Sequence, residues 1–141
     1  MEVLRWKIRI SVLWILLAVG MSASMILLLM EPGVIQEMIA GKIEWAQISD
    51  GLLVFFALFW LIPFIMAVLS LTLRASPNRR ANFVLGIVFV LLYVVDIIQH
   101  SIHGALHVAY LLMLVSGIVV AAFIVGFAWR LPKRETRVAD E

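Results

Sequence analysis

The chain has 141 residues, of which 65% are hydrophobic and 14% charged. That balance cannot clothe a soluble domain in polar surface, so it excludes an ordinary soluble enzyme and makes the bilayer the solvent. With no cysteine in the chain there is no disulfide, thiolate metal site or thiol chemistry, and any metal must be held by His, Asp or Glu; the formal charge of +2 is sorted by position along the chain and does not point to nucleic acid.

Taken in chain order, the first apolar run covers about residues 10–30 and follows the basic residues Arg5, Lys7 and Arg9. A signal peptide would need cleavage near Ser22-Ala23-Ser24, yet apolar residues continue beyond that point to complete a full span. Glu31-Pro32-Gly33 then stops the helix, and about residues 33–41 offer a short amphipathic helix on the outer surface, ended by Gly41. Trp45 is the expected interface anchor, and Ser49 or Asp50 the expected cap of span two. Span two covers about residues 51–73 and contains Pro63, which predicts a kink after Trp60. Span three covers about residues 81–100 and span four about residues 105–129, each near the length a hydrocarbon core requires. One continuous helix through both would be roughly 70 Å long, more than twice the core thickness, so a turn falls near Ser101 to Gly104.

Ten of the 11 basic residues flank one side of these spans: Arg5, Lys7, Arg9; Arg74, Arg79, Arg80; Arg130, Lys133, Arg134 and Arg137. Only Lys42 falls on the other side, so the positive-inside rule places both termini and the tail, about residues 130–141, in the cytoplasm. The opposite face carries Glu31, Glu37, Glu44, Asp50 and, near the end of span three, Asp96. Trp6 and Trp129 predict an aromatic belt on the cytoplasmic side. Small residues four apart, among them Ala18 and Ser22, Gly20 and Ser24, Gly117 and Ala121, and Ala122 and Gly126, predict close packing by spans one and four, within the chain or between copies in a homo-oligomer.

The residues that resemble chemistry are Asp96, His100, His103 and His107, spaced four, three and four apart and including every histidine. If span three continues through His103, the first three share a helical face, and His107 faces them across the turn. Imidazole and carboxylate at this spacing suit zinc or another divalent transition metal, with Asp50 or Glu44 completing the ligand set, or with Asp96 orienting a histidine from behind. Two other readings stand beside this one: solvated turn histidines with Asp96 satisfied by one of them, and a proton-handling or substrate pathway. Asp96 lies only about one turn from the outer boundary, which makes its desolvation modest. No phosphate loop, serine nucleophile motif or HExxH motif is present, so the expected protein is non-enzymatic.

The strings Leu13-Trp14-Ile15, Met30-Glu31-Pro32-Gly33 with Gly41 downstream, Ile62-Pro63-Phe64-Ile65-Met66 leading to Leu69-Ser70, and Asn78-Arg79-Arg80-Ala81-Asn82 resemble an uncharacterised family of small four-span prokaryotic membrane proteins. The resemblance covers most of the chain and implies fold and location, with no assigned activity. Members of that family often carry acids in span one and before the proline of span two; here those places read Met21-Ser22-Ala23-Ser24 and Trp60-Leu61-Ile62. A histidine cluster is not a hallmark of the family. The expectation is therefore one membrane domain over residues 1–141: an all-α four-helix transmembrane bundle with a short outer interfacial helix, in a prokaryotic cytoplasmic membrane. Its expected role is a binding or accessory module taking a cation or small ligand at the outer mouth, and the alternative is a subunit of a small oligomeric transporter or channel.

Overall fold

The structure is a computed structural model, which describes residues 2–43, 46–102 and 107–131. Glu44, Trp45, His103, Gly104 and the tail basic residues Lys133, Arg134 and Arg137 lie outside the described residues. Five helices and one small hairpin follow one another: α1 (Glu2–Leu29), α2 (Val34–Ile39), β1 (Lys42–Ile43), β2 (Ala46–Gln47), α3 (Asp50–Thr72), α4 (Ala75–Ile102) and α5 (Val108–Arg130). The four long helices α1, α3, α4 and α5 are each long and apolar enough to cross a membrane.

Two of these helices start well before their apolar runs. α1 begins at Glu2, whose carboxylate lies in the first turn where the helix dipole favours it, and carries Arg5, Lys7 and Arg9 as ordinary helical residues. α4 begins at Ala75, with Pro77 in the first turn where a missing N–H costs nothing. α3 runs unbroken through the buried Pro63. Its N-terminus is capped by Ser49, whose hydroxyl accepts from the Leu52 N–H at 3.3 Å.

Between α1 and α3 the backbone turns twice at glycines with positive φ, Gly33 at 94° and Gly41 at 78°. Gly41 sits just past the end of α2, donates its N–H to the Met38 carbonyl and accepts from Ile48 N–H, so a left-handed residue both closes the helix and opens the hairpin. The hairpin pairs Lys42 with Gln47 and Ile43 with Ala46 in antiparallel register.

α1 packs on both α3 and α5, α5 packs on α4 along its length, and α3 meets α4 mainly through side chains. The centre is filled by Ile10, Trp14 and Leu17 of α1, Met66 and Ala67 of α3, Phe89 of α4, and Ala121 and Ile124 of α5. Phe89 stacks on Phe59 with centroids 5.1 Å apart and meets Trp14 edge-on at 5.4 Å. The outside is as apolar as the inside: Ile15, Val19, Leu58, Phe64, Val68, Leu91, Val119 and Phe123 all face outward. A surface of that kind is stable against hydrocarbon, where a helix satisfies most of its backbone polar groups internally.

The expected packing of spans one and four is observed as α1 against α5. Ala18 and Ala121 are fully buried and Gly117 is buried, whereas Gly126 has open space around it and Ala122 is exposed. At one end Trp6 packs edge-on against Phe127 at 5.3 Å, with the Arg9 guanidinium 4.9 Å from its ring centre. Trp129 lies against Phe83 at 5.5 Å, with the Arg79 guanidinium 5.1 Å from its ring centre. The two tryptophans therefore share one end of the bundle, each under a cation.

Candidate functional site

The opposite end holds the acid and histidines. The last two turns of α4 place Asp96 and His100 four apart on one face, and the first turn of α5 brings Tyr110 to the same point. His100 Nδ1 lies 3.2 Å from Asp96 Oδ1 and 3.0 Å from the Asp96 carbonyl oxygen. Both of these partners only accept, so Nδ1 carries the proton and donates, and in the neutral ring the lone pair is on Nε2. Tyr110 donates its hydroxyl to Asp96 Oδ2 at 3.1 Å, and its ring lies 4.7 Å from the imidazole. Each carboxylate oxygen of Asp96 therefore holds one named neighbour. His100 and Tyr110 are buried, with 5% and 8% of their surfaces exposed, so the assembly is part of the packing between α4 and α5.

His107 goes elsewhere. It stands just before α5, where its carbonyl accepts the Leu111 N–H, and its Nε2 lies 3.6 Å from Glu31 Oε2, just beyond the end of α1. Asp50 is the exposed first residue of α3. The structure thus brings together Asp96 and His100 of the expected cluster and sets His107 against Glu31. Among the described residues no three His, Asp or Glu side chains converge as a ligand set; His103 and Glu44 lie outside those residues.

A second polar assembly, at the tryptophan end, is fully buried. Asn82 Oδ1 accepts from Trp14 Nε1–H at 2.5 Å and from the Ser70 hydroxyl at 3.0 Å, while its amide donates to the Asn78 carbonyl at 2.8 Å and to Asn78 Oδ1. The Asn78 amide in turn donates at 2.7 Å to the Ser70 carbonyl, one of the carbonyls at the end of α3 that lack a helical partner. Ser11 adds a bond from α1 to the Ala67 carbonyl at 2.8 Å. Among the described residues no buried side-chain nitrogen or oxygen lacks a partner. This network ties α1, α3 and α4 together, and each of its buried side-chain polar atoms has a partner, which suits a structural clamp.

Sequence reasoning missed Tyr110, Glu31 and the Asn82 clamp as site residues. Asn78 and Asn82, four apart at the start of an apolar helix, and Trp14 inside an apolar run were signals for the clamp; Tyr110 carried none beyond lying three residues after His107.

Four long apolar helices around a dry centre, with polar assemblies confined to the two ends, define a helical multi-pass membrane protein. The chain belongs to a family of unknown function, DUF6326, which matches residues 1–136. No curated protein and no solved structure matches it.

Proposed function

We propose that the protein is a non-enzymatic binding or accessory module of the prokaryotic cytoplasmic membrane. Its Asp96 end faces away from the cytoplasm and takes a small ligand, for which a divalent transition-metal ion such as zinc is the class its histidines suit. The orientation rests on the basic residues, 10 of 11 of which belong to the other end by their place in the chain. The observation that carries the reading is the contact of His100 Nδ1 with the Asp96 carboxylate and carbonyl oxygen, the arrangement that commonly backs a metal-bound histidine. On this reading His107 leaves Glu31 to join His100, and His103, which lies outside the described residues, is the further candidate ligand. A core filled by Trp14, Phe59, Phe89 and Ile124 favours a binding or accessory role over conduction through a single copy. A homo-oligomer would join through outward faces such as that of Ala122 and Gly126, because Ala18, Gly117 and Ala121 are engaged within the chain.

Elemental analysis of detergent-purified protein tests this, comparing wild type with the His100→Ala, His107→Ala double variant. Near-stoichiometric zinc, copper or iron in the wild type, falling to background in the variant, is the expected result. Equal trace metal in both contradicts it.

A further inference from the structure

The tryptophan end carries a cationic surface that the Asn82 clamp does not use. Arg79 and Phe83, four apart on α4, both meet Trp129 of α5: the guanidinium lies over the indole, 5.1 Å from its centre, and the phenyl ring is 5.5 Å away. With 63% of its surface exposed, Trp129 belongs to the outside of the bundle and not to its core. A guanidinium over a ring uses its flat face there and keeps the N–H donors along its edge for another partner. Arg80 and Arg130, the next residue of each helix, are exposed as well. Among the described residues, none of Arg79, Arg80 and Arg130 has a carboxylate partner.

Two observations identify the partner. The first is charge: an arginine's forked donors match a phosphate, and cations without a carboxylate of their own call for an anion from outside the chain. The second is what lies behind them. Arg80 begins a stripe of α4 that continues as Val84, Val88 and Leu91, all exposed and spaced four, four and three apart, so the three apolar residues run along one face away from the arginines. A free phosphate or an acidic peptide would satisfy the arginines alone, whereas a molecule with a phosphate at one end and hydrocarbon behind it satisfies both parts of the face. α1 holds a similar pair, Arg9 over Trp6, but there Arg5 and Arg9 share their helical face with Glu2; the first acid of α4 is Asp96, far along the helix. We infer that the outward face of α4 beside Trp129 is a binding site for one anionic phospholipid, its phosphate held by Arg79 and Arg80 and an acyl chain laid along Val84, Val88 and Leu91.

Native mass spectrometry of the full-length, delipidated protein titrated with dioleoyl phosphatidylglycerol, dioleoyl phosphatidylcholine or the chainless head group glycerophosphoglycerol tests the assignment. Wild type is expected to hold phosphatidylglycerol more tightly than either of the others. The Arg79→Gln, Arg80→Gln double variant should weaken phosphatidylglycerol binding by about tenfold or more and remove its advantage over phosphatidylcholine. Trp129→Leu, which keeps an apolar side chain and removes the ring under Arg79, should weaken it by about two- to fivefold. The Arg5→Gln, Arg9→Gln double variant removes the same charge from the same end and should leave the preference in place. Helicity and monodisperse elution establish that each variant is folded, and variants on separate helices guard against the failure of either. Unchanged phosphatidylglycerol binding in the Arg79, Arg80 variant, or an equal loss in both double variants, overturns the site. A wild type that binds the two lipids equally overturns the anionic head group, and head-group binding as tight as that of the whole lipid overturns the acyl chain.

Discussion

Asn82→Ala is expected to destabilise the bundle by about 3 kcal/mol, the largest loss from any single polar substitution in the chain. The side chain makes four hydrogen bonds to three residues on three helices, and all of them are removed from water. Ser70 can redirect its hydroxyl to a carbonyl of its own helix, so its share of the loss is small. The indole N–H of Trp14 has no such alternative, and Asn78 Oδ1 loses its donor. Intramembrane hydrogen bonds average only about 0.6 kcal/mol and reach roughly 1.7 kcal/mol, because the separated helices also find partners. Several lost together with the space left behind bring the total to the figure above. Reversible unfolding in mixed detergent, followed by circular dichroism, measures it. Trp14→Phe, which keeps the ring and removes the donor, should cost about 1 kcal/mol and combine less than additively with Asn82→Ala. A change below about 1 kcal/mol for Asn82→Ala would mean that the clamp contributes little to stability.

Gly117→Ala is expected to cost about 2 kcal/mol. A methyl group there would lie 2.5 Å from Tyr93 Cζ and under 3 Å from two further ring carbons, so the rigid ring or the helix must move. Tyr93 is one turn before Asp96 on α4, and the contact between α4 and α5 is what brings Asp96 to Tyr110. The substitution should therefore loosen the Asp96 end as well as lower stability. Two comparisons isolate the cause in the same unfolding assay. Tyr93→Leu in the Gly117→Ala background should recover much of the loss by clearing the methyl group. Gly126→Ala, where nothing lies within 4 Å of the added carbon, should be neutral or stabilising by up to about 1 kcal/mol through helix propensity. Equal losses for Gly117→Ala and Gly126→Ala would contradict the steric account.

The four long helices and the short helix between the first two were legible in the sequence because run length and flanking charge report directly on the bilayer. Hydropathy does not report on where a helix starts, which is why the polar turns 2–9 of α1 and 75–80 of α4 extend past the apolar runs. The hairpin at 42–47 is two residues per strand, too short to show alternation. At the candidate site, the pairing of Asp96 with His100 follows from their spacing of four on one helix. The other partners depend on how helices rotate against each other. Tyr110 meets Asp96 only because α5 turns that face to α4, and Glu31 meets His107 only because the end of α1 reaches the start of α5. The asparagine pair was visible as part of a family string, but its role requires Trp14 and Ser70 from two other helices. Local spacing is written in the chain, whereas convergence between helices is decided by packing.

The bundle thus has a locked end and an open one. The Asn82 clamp bonds α4 to α1 through Trp14 and to α3 through Ser70, and is braced within α4 by Asn78. At the other end an acid fixes the orientation of a histidine, and exposed groups such as His107 and Asp50 stand near the surface. The proposal that this end binds a metal ion rests on Asp96 as the positioning residue for His100. Calorimetric titration of zinc into the metal-stripped, detergent-solubilised protein tests that most directly, with wild type, Asp96→Asn and His100→Ala compared. Saturable binding is predicted for the wild type, lost in His100→Ala and weakened by about 10- to 100-fold in Asp96→Asn. Identical titrations for all three proteins, or no heat of binding in the wild type, would contradict it.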